Sequence, residues 1–242
     1  MLGRKNEIPM YDFRAGLAPN QEWKLRTHGE EWLSGDTANA SIGQGFMLAS
    51  PMQLAVMTAR IATGRAVKPR LVRSIDGVEQ PTGAGEPLEI SPANLNYIRE
   101  AMWSVSNDRR GTAYRSRIIA DDLRMAGKTG TSQVRNITKA ERAAGVIRNE
   151  DLPWERRDHA LFVSFAPYDN PKYAIAVVVE HGGGGSKAAA PVARDIMLQA
   201  LYNGTPPLEA YPAGDRERIK EQQKRLEGDR RPKARPSEKD RA

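Results

Sequence analysis

Asp122-Leu123-Arg124-Met125-Ala126 runs into Gly127-Lys128-Thr129-Gly130-Thr131, and the reading of that junction decides the fold. A short extended run ends in one cation, two hydroxyls and two glycines. Glycine lets a ligand approach the backbone closely, so this composition at the end of a strand makes a compact anion site. A nucleotide-binding P-loop shares the Gly-Lys-Thr half but needs a glycine where this chain has Asp122, whose carboxylate would repel phosphate. Taken alone, the stretch is either a glycine-containing strand with a solvated lysine or a strand lining an active site. The flanking sequence has to separate the two.

Downstream, His159 to Ala166 and Tyr173 to Glu180 read as two strands joined by the turn Pro167-Tyr168-Asp169-Asn170-Pro171. Three successive strands with no helical crossover predict an antiparallel meander. Residues 188–202 predict a helix that packs back on it, after a flexible connection through His181 and Gly182 to Gly185. That His-Gly-Gly-Gly run resembles an oxyanion loop of lipases, but the chain has no Gly-x-Ser-x-Gly nucleophile elbow.

Upstream, Ser50 and Pro51 start a helix that Gly64 ends, with Leu54, Met57 and Ile61 as its apolar stripe and Thr58 as a polar interruption. Ser91-Pro92 repeats the start signal for a second helix reaching about Asn107, built on Leu95, Ile98, Met102 and Val105. Between them, Val67 to Ile75 reads as a strand interrupted at Pro69, followed by a polar turn region over 76–90. The first forty or so residues read as loop, pinned by Trp23 and Trp32, and 136–157 as a charged loop.

With 242 residues the chain is long enough to bury a proper core. Its mean hydropathy of -0.62 is low for a globular domain, so part of it is expected not to fold. Residues 215–242 carry 11 Lys/Arg and 7 Asp/Glu, more than half of the net charge of +7. The expected division is therefore a folded part over 1–204 and a disordered charged tail over 205–242, with Ile219 and Leu226 marking a weak surface helix. A basic tail without interleaved aromatics argues against a nucleic-acid partner. No cysteine is present, which excludes disulfides and thiolate metal sites. The three histidines, His28, His159 and His181, lie in no His-Glu-x-x-His pattern, so neither a metal nor a cofactor is expected. Nothing approaches a membrane span or a signal peptide, so the chain taken literally would stay in the cytoplasm.

Several stretches, in order, resemble the C-terminal part of the transpeptidase domain of class B penicillin-binding proteins, most closely the penicillin-binding protein 2 branch. They are Gly35-Asp36-Thr37, Ile42-Gly43-Gln44-Gly45 with Ser50-Pro51-Met52-Gln53, Gly111-Thr112-Ala113, Ala126 to Thr131, Phe165-Ala166-Pro167 and Val179-Glu180-His181-Gly182-Gly183. The resemblance implies a mixed α/β, penicillin-binding and serine β-lactamase-like domain with an antiparallel sheet flanked by helices. It implies attack of a serine on D-Ala-D-Ala stem peptides of peptidoglycan, with β-lactams acylating the same serine. By that resemblance Lys128 supplies positive charge beside the substrate carboxylate and helps proton traffic, and Thr129 and Thr131 donate hydroxyl hydrogen bonds to it. Gly130 keeps the strand open, and the Thr131 N–H is one arm of the oxyanion hole. Membrane proteins of the elongation complex are the implied partners, and the periplasmic face of the inner membrane the implied location of a full-length protein.

The family also uses Ser-x-x-Lys and Ser-x-Asn upstream of the Lys-Thr-Gly strand. No serine of this sequence has lysine three positions on or asparagine two positions on. The chain is therefore expected to be a fragment, or a reading frame begun inside the domain, inactive alone. The alternative is a non-catalytic remnant that binds peptide or a cell-wall partner.

Overall fold

The computed structural model describes residues 15–230, apart from positions 71, 81, 82 and 84. Its first part contains two short helices, α1 (Gln21–His28) and α2 (Ser34–Ser41), where the sequence predicts loop. Neither has a useful apolar stripe. What ties them together is Lys24, 3% exposed, whose ammonium donates to the Asp36 carboxylate at 2.8 Å and to the Glu31 carbonyl at 2.9 Å. Trp23 packs its ring against His28 and Phe46, and the Trp32 indole donates to Thr37 Oγ1.

Helix α3 (Pro51–Thr63) has the predicted ends. Ser50 Oγ accepts the Gln53 N–H, the Gln53 side chain accepts the Ser50 N–H, and Gly64 terminates the helix at φ 68°. Its buried side is rotated from the predicted stripe: Val56, Thr58 and Ala62 are buried, whereas Leu54, Met57 and Ile61 are half-buried. Thr58 is tolerated at 0% exposure because its hydroxyl donates to the Leu54 carbonyl. The strand predicted from Val67 to Ile75 shrinks to a two-residue hairpin, β1 (Ser74–Ile75) against β2 (Val78–Glu79). Helix α4 (Pro92–Asn107) begins at the Ser91 cap and ends where predicted.

The main sheet is β3 (Ala126–Ser132), β4 (His159–Ala166) and β5 (Tyr173–Val179), antiparallel in that order. The predicted extended run at 122–126 is corrected here: Asp121–Leu123 is a 3-10 turn, so the Gly-Lys-Thr-Gly-Thr residues are the strand itself and not its exit. The loop between β3 and β4 carries a short helix, α5 (Lys139–Ala144), fastened by two hydrogen bonds from Arg135 to the Glu141 carboxylate. Those bonds hold Glu141 below the usual glutamate range.

Helix α6 (Gly185–Tyr202) lies on one face of the sheet, and α3 and α4 lie on the other. The pleat of β4 shows how. Ala160, Phe162 and Ala166 point to α6 and pack with Ala189, Ala193 and Met197; Phe165 points the other way, to Ala62 and Met102. Both phenylalanines are completely buried.

Residues 205–230 are not the expected disordered tail. After two 3-10 turns at Leu208–Ala210 and Ala213–Asp215, helix α7 (Arg216–Arg230) runs along the domain, and Ala210, Tyr211 and Ile219 join the α6 core. Ile219 is buried and only Leu226 is exposed, so this helix is docked and not a free surface helix. Arg194 of α6, wholly buried, ion-pairs with Asp195 and Asp215 and lies over the Tyr211 ring. Burial pushes the Tyr211 phenol up to about 12. The remainder of the expected tail, 231–242, lies outside the described residues.

Candidate functional site

β3 forms one edge of the sheet, and its outer side is not paired with another strand among the described residues. Its inner side pairs with β4 in a continuous register, Lys128 opposite Val163, Thr129 opposite Phe162, Gly130 opposite Leu161 and Thr131 opposite Ala160. This ladder is possible at Gly127 only without a side chain. A Cβ there would stand 2.5 Å from Phe162 Cζ and 2.7 Å from the Val163 carbonyl oxygen.

Two distant pieces of chain converge on the outer edge. Gln44 Nε2 donates to the Thr131 carbonyl at 3.1 Å, and the hydroxyls of Thr112 and Thr129 hydrogen-bond at 3.0 Å. Lys128 is exposed and donates to the Thr129 carbonyl at 2.7 Å. In an antiparallel strand the N–H and C=O of one residue point to the same side. The carbonyls of Thr129 and Thr131 both receive side chains from outside the ladder, so their N–H groups also face the outer edge. The edge therefore offers two backbone N–H groups, one ammonium and the hydroxyls of Thr112, Thr129 and Thr131. That is a donor-rich strip suited to a carboxylate and to a carbonyl gaining negative charge.

The loop that brings Thr112 is tied down at both its backbone and its buried alanine. The Ala113 N–H donates to the Val105 carbonyl at 3.0 Å, closing the turn after α4, and Ala113 is buried in the α6 core. Asp108 in the same turn is held below the usual aspartate range by hydrogen bonds from the Arg110 side chain and backbone. The opposite end of the strip rests on α6: a Cβ on Gly185 would meet the Leu161 carbonyl oxygen at 2.3 Å and the Gly130 carbonyl oxygen at 2.6 Å.

Lys128, Thr129, Gly130 and Thr131 are thus brought together as one edge. Gln44 and Thr112 belong to the same arrangement but escape a reading of the central stretch alone. They do lie inside Ile42-Gly43-Gln44-Gly45 and Gly111-Thr112-Ala113, the segments whose sequence order carries the resemblance. No helix among the described residues is long and apolar enough to cross a membrane.

Known proteins resemble this chain over most of its length. Residues 9–198 match the family described as penicillin binding protein transpeptidase domain. Peptidoglycan D,D-transpeptidase MrdA of Haemophilus influenzae is 34% identical over 219 residues, which are 87% of this chain and 32% of that protein. MrdA of Acinetobacter baumannii is 38% identical over 201 residues, covering 79% of this chain and 29% of that one. Among solved structures, penicillin-binding protein 2 of Helicobacter pylori, in complex with MreC, superposes with a TM-score of 0.67 at 34% identity, over 84% of this chain and 34% of that one. Penicillin-binding protein 2 of Pseudomonas aeruginosa, in complex with WCK 5153, superposes with a TM-score of 0.61 at 38% identity, over 77% of this chain and 36% of that one. The chain spans about a third of the length of these relatives.

Proposed function

The chain belongs to the penicillin-binding protein transpeptidase family, and from that premise we propose that it is the C-terminal portion of a peptidoglycan D,D-transpeptidase, which cross-links the cell wall through an acyl-serine. The observation that carries the proposal is the contact of Thr112 with Thr129, which joins two of the family's stretches on the free edge of β3.

In this reading the stem peptide lies along that edge as an additional strand. The ammonium of Lys128 and the hydroxyls of Thr129 and Thr131 hold its terminal carboxylate. The N–H of Thr131, facing the edge, donates to the oxyanion that forms when the scissile carbonyl is attacked, where one donor typically lowers the barrier by about 3 kcal/mol. The nucleophile and its base come from Ser-x-x-Lys, and a further hydroxyl from Ser-x-Asn, elsewhere in the longer protein. Residues 1–204 belong to the catalytic domain, with 205–230 packed on α6 as its extension. β-Lactams are the mimics that this edge accepts. The H. pylori relative was solved with MreC, and a membrane partner of that kind at the periplasmic face of the inner membrane suits the longer protein here.

Intact mass after incubation with benzylpenicillin tests the reading. The 242-residue chain should gain no covalent adduct, and the same chain continuous with a Ser-x-x-Lys-bearing segment should gain one. An adduct on the 242-residue chain, or none on the longer protein, would overturn it.

A further inference from the structure

Beyond the edge itself, the residues that hold it from behind form a connected path starting at His159. His159 opens β4 and stands across from Ser132, the last residue of β3. Its Nδ1 accepts the backbone N–H of His181 at 2.9 Å. His181 has a left-handed φ of 54°, unusual for a residue with a side chain, and this conformation turns the chain out of β5. Its own Nδ1 donates to the Arg157 carbonyl at 3.0 Å, and its ring lies between those of Trp154 and His159 at centroid distances of 4.4 and 4.7 Å. Immediately afterwards the Gly183 N–H donates to the Asp158 carbonyl at 2.9 Å. The segment 157–159 therefore holds the segment 181–183 through three hydrogen bonds. Two residues later Gly185 begins α6 in contact with the N–H and carbonyl oxygen of Gly130.

We propose that His159 is a positioning residue: by accepting the His181 N–H on Nδ1, it fixes the turn that seats Gly185 behind Gly130, and so sets the backbone of Gly130 and Thr131 for the acyl carbonyl. Its meaning for catalysis rests on the transpeptidase reading, whereas the mechanical link does not. The chemistry of the bond makes the acceptor the working part. An Nδ1 that accepts must be unprotonated, so His159 carries its hydrogen on Nε2. The His181 N–H has no ladder partner to fall back on, because the β4–β5 ladder ends at the Ala160–Val179 pair. A ring without the acceptor leaves that part-buried N–H without its protein partner or forces the turn to open.

Substitutions separate the acceptor from the ring. Asparagine places an oxygen close to where Nδ1 stands, phenylalanine keeps a ring without an acceptor, and glutamine puts its oxygen near Nε2 instead. In the 242-residue chain, backbone amide exchange and nitrogen–proton spectra are read at His181, Gly130 and Thr131. His159→Phe should speed exchange of the His181 amide about tenfold or more and shift the Gly130 and Thr131 signals, whereas His159→Asn should leave both near wild type. Should His159→Phe not fold, His159→Gln against His159→Asn makes the same comparison. Unchanged Gly130 and Thr131 signals in the acceptor-free variants, or equal disturbance by asparagine, would overturn the proposal.

In the longer protein the acylation rate by a fluorescent penicillin should fall about tenfold with His159→Phe and recover with His159→Asn. An acylation rate that His159→Phe leaves unchanged would also count against it. If the wild-type longer protein is not acylated at all, the functional reading falls, and the amide measurements still decide the link.

Discussion

Gly185 and Gly130 touch backbone to backbone: a Cβ on Gly185 would stand 2.6 Å from the Gly130 carbonyl oxygen and 3.1 Å from the Gly130 nitrogen. The start of α6 is thus a rigid backing for the edge strand that carries the candidate site. Gly185→Ala should push the two apart. Overpacking of this kind costs about 1–3 kcal/mol. A lowered denaturation midpoint, together with shifted amide signals confined to β3, β4 and the start of α6, is the expected result.

Lys128 makes the opposite prediction, because its side chain is exposed and bonds only to the neighbouring Thr129 carbonyl among the described residues. Lys128→Ala should leave stability within about 0.5 kcal/mol of wild type. In the longer protein, penicillin acylation should fall on the order of a hundredfold, as expected for losing a charge that acts on the transition state. An unchanged acylation rate would remove Lys128 from the site.

The Thr112–Thr129 contact can be tested by a double-mutant cycle with Thr112→Val and Thr129→Val, read by urea denaturation. A hydroxyl pair in this position should give a coupling of about 0.5–1.5 kcal/mol. Independent, additive effects would mean that the Thr112–Thr129 bond adds nothing to the turn bonds that already hold the loop after α4.

Acid should loosen the first two helices before the sheet. The Lys24 ammonium, through its hydrogen bond and then the Leu33 N–H, holds the Asp36 carboxyl below the usual aspartate range. A group whose folded value is lowered contributes stability that is complete above its unfolded value, about 3.9, and lost as the pH falls through the folded value. Trp23 packs against His28 and Phe46 in the same unit, and its fluorescence should report the transition. Asp36→Asn should abolish that acid step while leaving a destabilised segment at neutral pH.

Arg194→Met removes a wholly buried cation that faces Asp195 and Asp215. Burial already pushes the Asp195 carboxyl above its usual range in spite of that arginine. Deleting one partner of a fully buried pair costs about 3–5 kcal/mol, and because both carboxylates here are partly exposed and keep Arg218 at 4.0 Å, the loss should fall below that range. Proteolysis should then cut between α6 and α7 in the variant and not in the wild type.

The elements legible in the sequence are those whose cause is local. Ser50-Pro51 with Gly64 and Ser91-Pro92 define α3 and α4 because a cap is an interaction over three residues. The meander follows from three strands separated by turn chemistry, and the Lys-Thr-Gly-Thr edge from its own composition. Boundaries set by competition were less legible. Asp122 to Ala126 reads as extended, yet the 3-10 turn over Asp121–Leu123 delays β3 to Ala126, and the polar run at 20–41 reads as loop because its helices lack an apolar stripe.

The sequence by itself determined the ends of α3 and α4, the antiparallel order of the sheet and the residue types along the β3 edge, because each depends on neighbours a few residues away or on side-chain type. Only the tertiary structure decided what completes that edge and what becomes of the charged C-terminal part. Gln44 reaches Thr131 across 87 positions and Arg194 reaches Asp215 across 21. Such contacts have no periodicity to read; they exist only once packing has brought the segments together, and a buried arginine with its two carboxylates then holds a stretch whose composition alone reads as solvated.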